Sequence, residues 1–114
     1  TNTFTDIAVS PEMSGMAIAV KNSELLLTEN AFKSTSKIMS KLKITQIEWN
    51  KSGLYALSGS SLYNSTNFGK SWKKLNSFKA ATGILSASDR LMLVTVGADI
   101  YTSANSGKSF KQIS

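Results

Sequence analysis

The sequence predicts an all-β fold made of three copies of one four-stranded unit, and three observations predict it. Three eight-residue segments align without gaps: Thr28-Glu-Asn-Ala-Phe-Lys-Ser-Thr35, Ser65-Thr-Asn-Phe-Gly-Lys-Ser-Trp72 and Ser103-Ala-Asn-Ser-Gly-Lys-Ser-Phe110. Their asparagines, Asn30, Asn67 and Asn105, lie 37 and then 38 residues apart. Units of that size cannot bury an apolar face alone and must pack against their neighbours. Around the motif, apolar residues fall in short runs bounded by Gly, Ser, Asn and Pro, the pattern of strands and turns, and no stretch shows amphipathic helical spacing.

Each unit resolves into strands a to d. Strand a is Phe4-Thr-Asp-Ile-Ala-Val-Ser10, Ile44-Thr-Gln-Ile-Glu-Trp-Asn50 or Ala81-Thr-Gly-Ile-Leu-Ser-Ala87, carrying Ile7 and Val9, Ile47 and Trp49, or Ile84. Turn residues follow: Ser10 to Gly15, Asn50 to Gly53, and Ala87 to Asp89. Strand b is Gly15-Met-Ala-Ile-Ala-Val20, Gly53-Leu-Tyr-Ala-Leu57 or Arg90-Leu-Met-Leu-Val-Thr-Val96. Its near-continuous apolar character fits a strand buried on both faces. Strand c is Leu25-Leu-Leu27, Leu62-Tyr63 or Ile100-Tyr101, and strand d follows the motif. The units span about residues 1–39, 40–75 and 76–114 of a single repeat domain.

Composition narrows the chemistry. A chain of 114 residues with 41% hydrophobic content holds one core of ordinary size. No run of eighteen apolar residues is present, so no membrane span is expected; no charged-then-apolar leader opens the chain, and the missing initiator Met points to a processed or excised piece. Cysteine and histidine are both absent, which removes thiol chemistry, the commonest metal ligand and the commonest general base. No metal or cofactor is expected. The net charge of +6 favours acidic partners. Its lysines, however, recur at matching positions, Lys33, Lys70 and Lys108, then Lys37, Lys74 and Lys111, as solvated strand edges would place them. Nucleic acid is not an expected partner, since no basic helix or RNA-binding aromatic signature occurs.

The eight-residue segment resembles the Asp-box, or BNR repeat, with the pattern Ser-x-Asp-x-Gly-x-Ser/Thr-Trp/Phe. Ser65, Asn67, Gly69, Ser71 and Trp72 fill its positions, as do Ser103, Asn105, Gly107, Ser109 and Phe110, with Asn in place of Asp. In the first copy Thr28, Asn30 and Ser34 remain, while Phe32 replaces the glycine and Thr35 the aromatic. A short carboxamide closes such a turn by accepting its own backbone N–H groups. Glycine supplies positive φ, and the aromatic anchors the turn in the core. Phe32 at the glycine position implies a different turn or a strained one.

The resemblance implies three four-stranded antiparallel propeller blades, with the Asp-box as a structural hairpin between strands c and d. Three blades do not close a ring. The expectation is half of a six-bladed propeller closed by dimerisation, cyclic dimers being the commonest oligomers, or part of a longer propeller. A β-trefoil, which also holds three four-stranded repeats, is the alternative.

Sialidases and other glycosidases use Asp-box propellers, and the resemblance sets what such a site needs: an arginine triad, a tyrosine with its glutamate, and an acid/base aspartate. Arg90 is the only arginine, and the seven acids form no facing pair. The chain therefore reads first as a non-catalytic binding or assembly module, with a glycosidase fragment whose site is shared at a dimer axis as the least favoured alternative. Propeller geometry directs attention to the loops opposite the Asp-boxes, with Asn22, Lys41, Lys43, Ser60, Lys79 and Asp99 as candidate binding residues. The expected partner is a protein, as for the Vps10/sortilin propellers that Leu62 to Trp72 also resembles; a lectin-like glycan site is the alternative. Repeated pockets between blades would favour the lectin, and a single asymmetric face would favour a protein. Asn50-Lys-Ser and Asn64-Ser-Thr fit the glycosylation pattern, and the resemblance leans towards a secreted or cell-surface protein.

Overall fold

The computed structural model describes residues 4–21, 24–38, 43–51, 53–88 and 90–113. Twelve strands form three separate antiparallel sheets of four. The first contains β1 (Phe4–Val9), β2 (Ala17–Lys21), β3 (Glu24–Thr28) and β4 (Ser36–Ile38). The second contains β5 (Ile44–Asn50), β6 (Gly53–Ser58), β7 (Ser61–Ser65) and β8 (Lys73–Ser77). The third contains β9 (Thr82–Ser88), β10 (Leu91–Val96), β11 (Asp99–Ser103) and β12 (Lys111–Gln112). Strand order within each sheet follows the chain, and β1 touches β5 as β5 touches β9, so the first strands stand side by side and the sheets fan outward. These are propeller blades, and among the described residues no strand pairs between sheets as a trefoil would require. Among the described residues no helix is long and apolar enough to cross a membrane.

The core lies between the sheets. Ile18, Val20, Leu25, Leu27 and Ile38 of the first sheet meet Ile44, Ile47, Leu54 and Ala56 of the second, with Trp49 and Trp72 packed at the margin. The opposite face of the second sheet presents Tyr55, Leu57 and Leu62 to Leu85, Met92, Val94 and Val96 of the third. Leu54 to Leu57 of β6 are all buried, because alternate side chains enter different interfaces. Both faces of a middle strand must therefore be apolar, which is why β6 reads as a continuous hydrophobic run.

A β-bulge recurs near the start of each first strand, between Phe4 and Asp6, between Ile44 and Gln46, and opposite the step from Val94 to Val96. Asp6 exploits it: its Oδ2 accepts the Ile47 N–H at 2.7 Å, tying the first sheet to the bulged start of β5. In the third sheet the bulge corrects one expectation. Leu85, paired with Val94, takes the buried place that Ile47, paired with Ala56, holds in the second sheet. Ile84 is on the other face at 62% exposure, its N–H donating to Thr95 Oγ1 at 2.8 Å. The repeat offset in strand a is one residue longer than a gapless alignment on Ile84 assumes.

The outer faces of the first and third sheets are apolar and uncovered. Ile7 and Val9 are exposed on one, and Ile84, Leu91, Leu93, Ile100 and Ile113 on the other. The buried interfaces carry the fold's stability, so Ile18→Ala, fully buried between the first two sheets, is expected to cost about 2–5 kcal/mol in equilibrium denaturation. Ile7→Ala, on an open face, is expected to change stability by less than about 0.5 kcal/mol at low protein concentration.

Candidate functional site

The three Asp-box turns share one hydrogen-bond pattern. The hydroxyl of Thr28, Ser65 or Ser103 donates to Oδ1 of Asn30, Asn67 or Asn105 at 2.9, 2.9 and 2.7 Å. The same hydroxyl oxygen accepts the N–H four residues on, from Phe32, Gly69 or Gly107, at 2.9, 2.8 and 2.9 Å. Each asparagine amide then donates to Ser34, Ser71 or Ser109 Oγ at 2.8 Å, and its Oδ1 accepts that serine's N–H. Asparagine replaces aspartate without loss because its Nδ2 finds a hydroxyl acceptor. Trp72 and Phe110 flank the sheet interfaces. The first turn is the same turn under strain: Phe32 sits at φ 66°, where Gly69 and Gly107 have φ 87°.

At the opposite end, Lys43 is exposed just before β5. Ser60 is exposed and its carbonyl accepts the Phe78 N–H at 2.7 Å, while Gly59 O accepts both the N–H and the hydroxyl of Thr82. Lys79 pairs with Asp99 at 3.1 Å, and that hydrogen bond and charge hold its ammonium pKa above the usual lysine value. The structure thus links Ser60, Lys79 and Asp99 through the loops of the second and third sheets. Asn22 and Lys41 lie outside the described residues.

A cleft of about 430 Å³ opens at the Asp-box end instead, between the second and third sheets. That volume is in the range of ligand pockets. Trp49, Tyr55 and Phe68 supply aromatic surface, Asn64 and Ser106 polar groups, and Lys108 a positive charge. Trp49 and Phe68 form a tilted pair with ring centroids 6.2 Å apart. The strand register shows how this sequence makes it. Trp49, Gly53, Tyr55, Asn64 and Phe68 occupy the positions held in the first sheet by Val9, Met16, Ile18, Leu27 and Ala31. In the third sheet those positions are Ala87, Leu91, Leu93, Thr102 and Ser106. Gly53 removes a side chain where the other sheets carry Met or Leu: a Cβ there would lie 3.0 Å from Tyr55 Oη and 3.1 Å from Asn64 Nδ2. Among the described residues no acid lines the cleft. Reasoning from the loops alone missed this site, although the break in the repeat at Gly53 and Asn64 was visible in the sequence.

Glu48 sits directly opposite Tyr55 in the β5–β6 register. Burial, then the charge of Asp6, raises its carboxyl pKa above the ordinary value of 4.5.

The BNR-Asp box repeat matches residues 62–75. The whole chain is similar in fold to solved β-propeller proteins. YCF48 from Cyanidioschyzon merolae superposes with TM-score 0.82 at 14% identity, over 97% of this chain and 37% of that one. PorZ, a surface component of the type-IX secretion system of Porphyromonas gingivalis, superposes with TM-score 0.75 at 16% identity, over 98% and 16%. The GH74 enzyme of Niastella koreensis gives 0.68 at 14%, over 96% and 17%. None of the curated proteins matches by sequence. The chain is a set of β-propeller blades carrying a BNR-Asp box repeat, and it spans well under half the length of these structures.

Two outcomes follow from the geometry. Asn67→Ala removes both the turn acceptor and the donor to Ser71 and is expected to cost about 1–3 kcal/mol, read from thermal and chemical unfolding. Because the folded Glu48 pKa is raised, its contribution favours folding below the unfolded carboxyl value and is lost as pH rises through the folded value. Glu48→Gln is therefore expected to raise stability at pH 7 relative to pH 4, measured as the difference in denaturation midpoint between the two.

Proposed function

We propose that this chain is a non-catalytic, protein-binding β-propeller module, completed by a second copy of itself, and that the cleft between its second and third sheets receives a segment of the partner protein. The asymmetry of the cleft carries this reading. A lectin built on repeated blades offers the same pocket at each interface, whereas here Gly53, Asn64, Tyr55, Trp49 and Phe68 together differ from the residues at the matching positions of the other two sheets, none of which is aromatic. An aromatic floor with a polar rim suits the burial of one apolar side chain and the hydrogen bonding of its flanking backbone. A YCF48 structure similar in fold to this chain was solved bound to a D1 peptide, with TM-score 0.77 at 15% identity, over 96% of this chain and 39% of that one.

Catalysis is disfavoured by inventory. Among the described residues the cleft is lined by no carboxylate that could act as acid, base or nucleophile, and Arg90 is the one arginine of the sequence. The loop residues Lys43, Ser60, Lys79 and Asp99 form a second surface for the same partner, with Asn22 and Lys41 proposed alongside them. Glycan binding is the second reading, favoured by the exposed edge of Phe68 beside Trp49, a surface on which a sugar ring can stack.

Binding of the purified chain to a peptide array and to a glycan array, read in parallel, separates the two. Retention of peptides that is reduced about tenfold or more by Phe68→Ala and by Asn64→Leu supports the protein-binding reading. Retention of glycans alone, with the same sensitivity, contradicts it and supports the lectin.

A further inference from the structure

The Asp-box glycine of each later sheet lies against the sheet before it. A Cβ at Gly69 would stand 3.4 Å from the terminal methyls of both Ile18 and Ile38 in the first sheet, and 3.5 Å from Trp72 Cζ2. At Gly107 it would stand 2.9 Å from Leu62 Cδ2 and 3.3 Å from Leu75 Cδ1 in the second sheet. Glycine is therefore what lets each turn close onto its neighbour, while the aromatic three residues on, Trp72 or Phe110, fills the margin of that interface.

The first sheet carries the same two positions with the bulk exchanged. Phe32 stands at the glycine place and Thr35 at the aromatic place. The core position beside them is also smaller: Ala17 takes the place of Leu54 and Met92, each pairing with the first residue of its Asp-box. Gly plus Trp or Phe has become Phe plus Thr, an approximately volume-conserving swap of the kind packed interfaces tolerate. In the preceding sheet the atoms a Cβ would meet are ends of flexible Ile and Leu side chains, which can turn aside; within its own sheet it would meet the Trp72 ring or the Met92 sulfur, and in the first sheet those places are held by Thr35 and Ala17. Phe32 is nevertheless 39% exposed, because no sheet covers it.

The surface that would cover it is present at the other end of the chain. Leu93 is the repeat equivalent of Ile18, Ile100 of Leu62, and Ile113 of Ile38 and Leu75. These are the residues that meet the turn glycine at the internal interfaces, and in the third sheet they are 38%, 38% and 53% exposed. Resting on the reading that a second copy completes the propeller, we infer that Phe32 is the aromatic anchor of the closing interface, seated against Leu93, Ile100 and Ile113 of the second copy. The contact occurs twice in the pair and leaves no apolar face open.

The test is a dilution series of the intact chain by light scattering and sedimentation equilibrium, with circular dichroism and denaturation to verify folding. The wild-type chain is expected to be a dimer. Phe32→Ala, and independently Ile113→Ser on the opposite face, are expected to raise its dissociation constant about tenfold or more. The double variant Phe32→Gly with Thr35→Trp, which rebuilds the turn of the second sheet, is expected to bring the constant back to near the wild-type value. A wild-type chain that stays monomeric, or one that associates without stopping at two, overturns the second-copy reading and the anchor with it. A dimer indifferent to Phe32→Ala overturns the anchor and leaves the dimer standing. Failure of the folded double variant to recover overturns the exchange of bulk.

Discussion

Everything in this fold depends on the burial of apolar sheet faces against one another. A single four-stranded sheet of this size has no interior; it becomes stable only when another sheet covers it. The second sheet is covered on both sides, and its middle strand is buried from Leu54 to Leu57. The first and third sheets are covered on one side each, and their other sides keep the aliphatic residues that an interface needs. The outer faces of the first and third sheets carry aliphatic residues at positions that are covered at the internal interfaces.

The Asp-box turns serve that burial. Each is a polar unit in which a hydroxyl and a carboxamide satisfy the backbone groups of a tight reversal, although the indole N–H of Trp72, at the end of the second turn, is buried without a hydrogen-bond partner among the described residues. Sequence can vary within the unit as long as the polar triad survives. Thr28, Asn30 and Ser34 keep the hydrogen bonds even though Phe32 must adopt positive φ, which shows that the hydroxyl and carboxamide govern the turn more than the glycine does. Glycine at that place answers to the neighbouring sheet.

Much of the architecture was legible in the sequence because polar turn chemistry and strand periodicity are local. The motif spacing gave the three units, and continuous apolar runs marked the doubly buried strands. Register was less legible. The bulge in β9 shifts the buried residue from Ile84 to Leu85, and a bulge depends on pairing with β10 that no local pattern encodes. The cleft was hidden for a related reason. Trp49 and Phe68 look like ordinary core aromatics until the register places them beside Gly53 and Asn64, where the aliphatic repeat is interrupted. Loops attracted attention by their polarity, whereas the enclosed surface lies among strand residues that differ from their own repeat.

Amide hydrogen exchange resolved by strand tests the dependence on face burial most directly. In dilute solution the greatest protection is expected in β6 and lesser protection in β10, where Leu91 and Leu93 lie on an uncovered face. Equal protection of β6 and β10 in dilute solution would contradict it, because the third sheet would then hold together without a neighbour on its open side.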